Sequence, residues 1–515
     1  MRRIGIDFGT TNTTLAYYDE KHNQLCGYKF DNASEYTSSA IAYHKIKNSY
    51  YIATNAQDYR DDSNFYFYEY YKIGLVKKWD KIVNENHGKT YFELMKDYLH
   101  KLISTYKNDN LLGDSLLDVI VLSVPNILLS NDYWDFKNEL EKFLKTEART
   151  GIMISEPACS AAFYSKVIQP EFYGDLIVVD YGGGTLDVSI CRVNKELNNG
   201  NMLPAISIVQ QYSMDSSQLL TNGAGIAFCV GMIKAITGLN EKNINFFPVV
   251  YEFDKILSSR ETINSCLLEY YSNNEDEIAD EEIQFRLNGE NRTVRCSLFD
   301  QTFEKVNSPT LIEALDKTLG SVLRDNKSRL DIKIISVGGF SNLICVNKVI
   351  AEQLNTGLGR LRQDPRIGQL TKTDKYLAVA YGAALYASKE VIKSSETSFS
   401  LRLVSYDGIG EHQTILLQEG KAKEDYFQTQ WLNDQFSIII GRDAIINLII
   451  SSKKSQTPLT FRLDISETCM DDCSIQIGVR LSERESFLCI HNNLTGLGNE
   501  ISIDKYISEF ENMRL

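Results

Sequence analysis

The stretch Ile4-Gly5-Ile6-Asp7-Phe8-Gly9-Thr10-Thr11-Asn12-Thr13 ends an apolar run on an aspartate and passes straight into small and hydroxyl-bearing residues. Ile177-Val178-Val179-Asp180-Tyr181-Gly182-Gly183-Gly184-Thr185-Leu186-Asp187 repeats the arrangement. A strand that turns back through such residues can aim its backbone amides at a phosphate while the aspartate holds a hydrated metal. Finding it twice implies a duplicated scaffold that closes on one nucleotide from both sides, and makes ATP the first hypothesis. Taken singly, Asp7 and Asp180 read as strand ends capping a turn, Gly182, Gly183 and Gly184 as a linker or bulge, and Thr10 and Thr11 as β-formers. The mirrored context favours the functional reading.

The chain of 515 residues, 43% hydrophobic and 24% charged, is long enough for two or more domains with substantial cores. A formal charge of −14 counts against nucleic acid or an anionic membrane as the main partner. The acidic stretch over 274–282 reads as a solvated loop before a strand. No run approaches the roughly 18 apolar residues of a membrane helix. The first strand begins at Ile4, which leaves no room for a signal peptide. The 10 cysteines are scattered, as reduced thiols of a cytoplasmic protein would be. Cys469 and Cys473 read as a turn that happens to carry two thiols rather than as a zinc site.

Periodicity places a hairpin over 1–20 and an insertion rich in Tyr and Lys over about 34–111, with helical spacing around Tyr91 to Leu99. An apolar strand over 119–125 ends at Pro125, a helix covers 132–145 and a strand 151–154. A small-residue helix then starts at Glu156, with Pro157 in its first turn. The second half repeats the plan with the GGGT hairpin, a mostly helical insertion over about 206–330, a strand over 332–337 and a helix over 376–390. Beyond about 398 short alternating apolar runs dominate, such as Ile475, Ile477, Val479 and Leu481. The division expected is therefore 1–390, a linker over 391–400, and a β-rich domain over 401–515.

GIDFGTTNTT and VVDYGGGTLDVSI resemble the two phosphate loops of the actin-like ATPase superfamily, and within it those of the 70-kDa heat-shock chaperones. ISVGGFSNL resembles the adenosine motif and LAVAYGAALYA the helix that follows it. LSVP followed by a helix and then by Ile154 to Ala162 is similar to the chaperones' connecting segment. The order Lys255-Ile256-Leu257-Ser258-Ser259, strand, Val294 to Phe299 is similar to their second lobe. The resemblance spans roughly residues 1–390. It implies a duplicated actin-like α/β fold of two lobes and four subdomains, followed by a β-rich C-terminal domain of sandwich type.

The resemblance further implies that Gly9, Thr10, Thr11, Asn12, Gly182, Gly183, Gly184 and Thr185 hold the β- and γ-phosphates. It implies that Lys255, Ser259, Gly338, Gly339, Phe340 and Asn342 flank the nucleoside, and that Asp7 and Asp180 bind Mg²⁺ through its water shell. Catalytic roles fall to Lys72, Glu156, Asp180, Thr185 and Asp187. Lys72, with Lys77 as the alternative, offsets charge developing at the γ-phosphate. Glu156 orders a metal-bound water, and Asp180, Asp187 and Thr185 all stay open as the group that orients the attacking water. The cofactors implied are ATP or ADP with Mg²⁺, with K⁺ as a further candidate. There is no GxxxxGK[ST], so this is not a P-loop enzyme.

Departures concentrate on the base side. Asn342 stands where the family has an arginine that packs on adenine, Ile256 where it has a second cation, and Tyr376-Leu377 where it has acidic residues. The expected linker is apolar only at alternate positions, unlike the family's leucine run, and the β-rich segment carries no family motif. The reading is a divergent cytoplasmic heat-shock-type chaperone whose slow ATP hydrolysis controls a β domain for peptide or client protein, with a co-chaperone or exchange factor as further partners. The alternatives are a nucleotide-binding scaffold without turnover and an actin-like assembly protein.

Overall fold

β1 (Arg3–Phe8) turns at residues 9–11 into β2 (Asn12–Asp19), its antiparallel partner. β3 (Gln24–Gly27) and β4 (Tyr36–Ser38) both pair with β2. β5 (Ile41–His44), β6 (Tyr50–Ile52) and β7 (Phe65–Tyr68) form a separate small sheet beside α1 (Ala53–Gln57). α2 (Lys72–Lys78) and α3 (Tyr91–Asp109) follow. In α3 a reciprocal cap between Thr90 and Glu93 satisfies the first amides, and Leu94, Tyr98 and Leu102 line its buried face. β8 (Leu117–Val124) lies parallel to β1, and its residues 120–124 are buried in succession, so both faces are covered there, as the apolar run Val119 to Leu122 requires. α4 (Trp134–Glu147) crosses to β9 (Ala148–Ser155), parallel to β8. α5 (Glu156–Phe163) starts at once, with Ser155 Oγ accepting the Ala158 N–H at 3.2 Å.

A second sheet is built on β10 (Gly174–Tyr181), β11 (Leu186–Asn198) and β12 (Asn201–Ser213), antiparallel in turn. α6 (Gly225–Thr237), α7 (Phe246–Ser258) and α8 (Glu261–Ser272) lead to the hairpin of β13 (Glu282–Leu287) and β14 (Glu290–Arg295). α9 (Cys296–Val306) and α10 (Ser308–Asp325) precede β15 (Ile332–Val337), which lies parallel to β10. α11 (Ile344–Gln353), α12 (Lys372–Ser388) and β16 (Ile392–Lys393) complete the unit. The strand order β15-β10-β11-β12 matches β8-β1-β2-β3, including the parallel neighbour beside the first hairpin strand. Residues 206–213, expected in the helical insertion, belong instead to β12, because backbone pairing with β11 continues through Ser213.

α12 packs on β1, β2 and α5, and glycine is what permits the approach. A Cβ at Gly382 would lie 1.7 Å from the Cys159 carbonyl oxygen, and one at Gly5 2.2 Å from the Ala384 nitrogen.

The chain divides into two compact units, Met1–Lys393 and Ser394–Leu515. The second holds two antiparallel sheets. Leu401, Leu448 and Phe461 of one sheet share a core with Ile477, Val479 and Ile490 of the other. Ile507 and Phe510 of the helix Asp504–Asn512 enter the same core. Ile415, at an apolar position of the alternating C-terminal segment, is exposed.

This computed structural model describes residues 2–30, 34–47, 49–113, 115–198, 201–213, 224–243, 246–258, 261–272, 281–325, 332–393, 399–406, 410–419, 429–432, 436–438, 445–452, 457–466, 473–481 and 486–512. Ser259, Cys469, residues 274–280 of the acidic stretch and 394–398 of the expected linker lie outside the described residues. The cysteines whose side chains are described are free thiols. Among the described residues no helix is long and apolar enough to cross a membrane.

Candidate functional site

The two hairpin turns close alike. The Gly9 N–H donates to the Asn12 carbonyl at 3.0 Å, and the Gly182 N–H donates to the Thr185 carbonyl at 3.0 Å. Register then sets Asp7 opposite Thr14 and Asp180 opposite Asp187. The turns also face each other. A Cβ at Gly184 would lie 2.2 Å from Thr10 Oγ1, and one at Gly183 3.3 Å from Thr11 Oγ1. Gly338 closes a third wall with a left-handed φ of +83°, where a Cβ would meet Asp180 Oδ1 at 2.8 Å.

Gly9, Thr10, Thr11, Asn12, Gly182, Gly183, Gly184, Thr185, Gly338, Gly339 and Phe340 all line one cleft, with Asp7, Lys72, Glu156 and Asp180. Asp187 stands behind Asp180 on β11 rather than at the cleft wall. Lys255 lines a neighbouring cavity, where it pairs with Glu69 at 3.7 Å. Asn342 lines another cavity and turns its amide toward the Gly339 carbonyl at 3.5 Å. Lys77 lies in a cavity with Lys78 and Trp79, away from the two turns.

Charge is concentrated at the cleft floor. Lys72 Nζ donates to Glu156 Oε1 at 2.8 Å, both side chains being buried. Burial alone would lower the Lys72 pKa, but Glu156, Asp7 and Asp180 hold it above the ordinary value. Burial, then Glu156, push Asp7 up to about 7, although Ser123 Oγ donates to its Oδ1 at 3.3 Å. Asp187 is also raised to about 7 by burial and Glu156, with Ser213 Oγ donating to its Oδ1 at 2.8 Å. Asp180 is driven well above the carboxylate range by burial, and then by Glu156, Asp187 and Asp7.

Asp180 Oδ2 and Asp187 Oδ2 are buried without a hydrogen-bond partner. Buried acceptors left this way cost stability unless something supplies positive charge, and Lys72 is already engaged. The donor set is all oxygen, which suits a hard cation such as Mg²⁺. Among the described residues no three His, Cys, Asp or Glu side chains converge closely enough to ligate an ion directly. Asp7 and Asp180 are the carboxylates of the cleft that such an ion would face, and Mg²⁺ sheds its water reluctantly.

Sequence reasoning missed several cleft residues. Asp254, in the middle of α7, accepts from Tyr70 OH at 3.0 Å and from Thr11 Oγ1 at 3.5 Å. An acid next to a lysine on an amphipathic helix carries no local signal of such a place. Tyr36 and Tyr376 also line the cleft, with ring centroids 5.9 Å apart and planes inclined by 24°. Lys375 joins them. The substitution of Tyr376 for an expected acidic residue was the available clue. Comparison with protein-family models gives no match for this chain, and comparison with curated proteins gives none either.

Proposed function

We propose that the first unit is a duplicated actin-like ATPase domain of heat-shock type. It binds Mg-ATP between two lobes and hydrolyses it slowly, and the nucleotide state controls a β-sandwich domain that takes unfolded peptide or client protein in the cytoplasm. The observation that carries this reading is the opposition of two turns of equal register across a cleft floored by Asp7, Asp180 and the buried Lys72–Glu156 pair.

In this mechanism the amides and hydroxyls of both turns cradle the β- and γ-phosphates, as paired backbone nests do for anions. Asp7 and Asp180 would hold Mg²⁺ through its water shell, and the ion would supply positive charge that offsets that of the phosphates. Lys72, fixed by Glu156, places its ammonium at the floor of the cleft, where it would offset negative charge on the transferred group. Asp180 and Thr185 line the cleft and Asp187 does not, which favours the first two as the groups that would orient water. Asp187, paired with Asp180 across the two strands, adds negative charge that favours a protonated Asp180 until a cation is bound. The two antiparallel sheets of the second unit offer edge strands, to which an extended peptide can add.

The test is steady-state ATPase activity of the full chain, with and without an unfolded apolar peptide, with Asp180→Ala as the blank. Slow turnover stimulated by peptide is expected. Turnover indifferent to peptide would remove the chaperone cycle and leave the ATPase. Activity no higher than the blank would leave a nucleotide-binding scaffold or an actin-like assembly protein.

A further inference from the structure

Three consecutive residues at the entry to α2 are each held against their own preference. Tyr70 has a left-handed φ of +57°, a costly conformation for a residue other than glycine. Tyr71 is buried, and among the described residues its hydroxyl has no hydrogen-bond partner. Lys72 buries an ammonium at the first position of its helix. Much of what holds this stretch comes from α7, far along the chain. Tyr70 stacks on Tyr251 with ring centroids 3.9 Å apart and planes inclined by 9°. Its hydroxyl donates to Asp254 Oδ2 at 3.0 Å, and Glu69 pairs with Lys255 at 3.7 Å. Burial, then Asp254, push the Tyr70 pKa above its ordinary value, so the hydroxyl remains a donor. Tyr251, Asp254 and Lys255 stand at i, i+3 and i+4, and therefore share one face of α7.

We propose that Tyr251 and Asp254 are positioning residues for Lys72, gripping Tyr70 so that the start of α2 keeps the ammonium at the cleft floor. The proposal rests on the role given to Lys72 above. The mechanical link is short. The Tyr70 carbonyl accepts the Ile73 N–H at 3.2 Å and the Tyr71 carbonyl accepts the Leu75 N–H at 3.0 Å, so the first turn of α2 hangs from these two residues. Glu156 fixes where the ammonium ends, whereas Tyr70 fixes where the helix begins. A left-handed tyrosine whose ring and hydroxyl are released relaxes toward negative φ, which redirects the chain entering α2 and draws Lys72 away from Glu156. Asp254 Oδ2 also accepts from Thr11 Oγ1 at 3.5 Å, so the same carboxylate ties the first hairpin turn to α7. Displacing α7 thus loosens Lys72 and Thr11 together, and the cleft is complete with α7 in place.

The test compares the full chain as wild type, Tyr251→Leu, Tyr251→Phe and Tyr70→Phe, with kcat from ATP turnover and affinity from calorimetric titration of ATP. Tyr251→Leu loses the stack, and its kcat should fall about tenfold, the scale of one aromatic pair. Its ATP affinity should stay within about twofold of the wild type, because Lys72 acts on charge that develops in the transition state. Tyr251→Phe keeps the ring and should match the wild type. Tyr70→Phe keeps the stack and the fold, loses the bond to Asp254, and should also cost about tenfold in kcat. A contact that merely braces the fold would lower kcat and affinity in step or change neither, and either result overturns the proposal. Hydrogen exchange without nucleotide is the second arm. Peptides spanning Lys72–Lys78 should exchange about tenfold faster in Tyr251→Leu than in the wild type. Unchanged exchange there overturns the proposal as well. A wild type without turnover would sink the ATPase reading alone, and exchange would then decide whether α7 holds the start of α2.

Discussion

Lys72 Nζ and Glu156 Oε1 stand 2.8 Å apart inside the protein, and each belongs to the first residue of a helix. A glutamate there is favoured by the helix dipole, whereas a lysine is opposed by it. Lys72 is kept in an unfavourable place by the carboxylates around it, which is what a charge reserved for a ligand would look like. Lys72→Met should lower ATP turnover by about 10²-fold or more, the scale of one lost electrostatic stabiliser. It should also destabilise the fold by about 3–5 kcal/mol, because Glu156 is left buried and unpaired. Adding Glu156→Gln should recover most of that stability and none of the activity. Denaturant unfolding of the two single variants and the double variant checks the first point, and turnover assays the second.

Asp7 and Asp187 are raised from an ordinary 3.8 to about 7, and this fixes the sign of a pH dependence. Between about pH 4 and pH 7 the native carboxyls keep protons that the unfolded chain has released. Their contribution to stability is fully present below about pH 4 and is lost as the pH rises through about 7. A cation held by Asp7 acts in the opposite direction, binding better once that carboxyl ionises. Mg²⁺ should raise Tm more at about pH 8 than at about pH 5. Thermal unfolding at both values, with and without Mg²⁺, decides it, and equal gains would mean that Asp7 does not hold the ion.

Gly184 faces Thr10 so closely that an added methyl would lie 2.2 Å from its hydroxyl oxygen. A threonine side chain can rotate away, so Gly184→Ala should fold at a cost of about 1–3 kcal/mol. If the cleft binds nucleotide as proposed, the rotation takes a hydroxyl of its phosphate cradle out of position, and nucleotide affinity should fall more than stability does. Gly184→Ala with Thr10→Ala relieves the clash and lacks the hydroxyl, so it should regain stability without regaining affinity. Parallel recovery of both would show that the hydroxyl itself contributes little.

The two facing turns of the cleft were legible because each hairpin writes its own turn. An apolar strand, an aspartate, small residues and a returning strand are local features, and local features survive in sequence. Asp254 was illegible because its partners Tyr70 and Thr11 lie far along the chain, brought together only by packing of α7. The start of α12 was placed late, at Tyr376, although Thr371 and Asp374 form a reciprocal cap before it. An aspartate in place of the usual glutamate or glutamine hides that signal. β12 was taken for part of an insertion because long hairpins are held by pairing with a neighbour, which no single strand announces. Lys255 and Asn342 were assigned by resemblance alone, and they line cavities other than the cleft.

With those two residues outside the cleft, Tyr36 and Tyr376 are the rings that the proposed function would set against a base, beside Lys375. Two aromatic rings recognise the flat face common to every base and read little of its edge. Their centroids lie 5.9 Å apart, while a base between two rings needs about 3.4 Å on each side, the interlayer spacing of stacked aromatics. A separation of roughly one ångström more would admit one, and Tyr36, on a short edge strand and 46% exposed, has room to give. ATP and GTP should therefore bind within about tenfold of each other. Tyr376→Ala should weaken both by about 1–3 kcal/mol, the usual worth of one stacked base. Fluorescence titration with the two nucleotides checks this. Strong preference for ATP in the wild type would mean that edge-reading groups outside the tyrosine pair select the base.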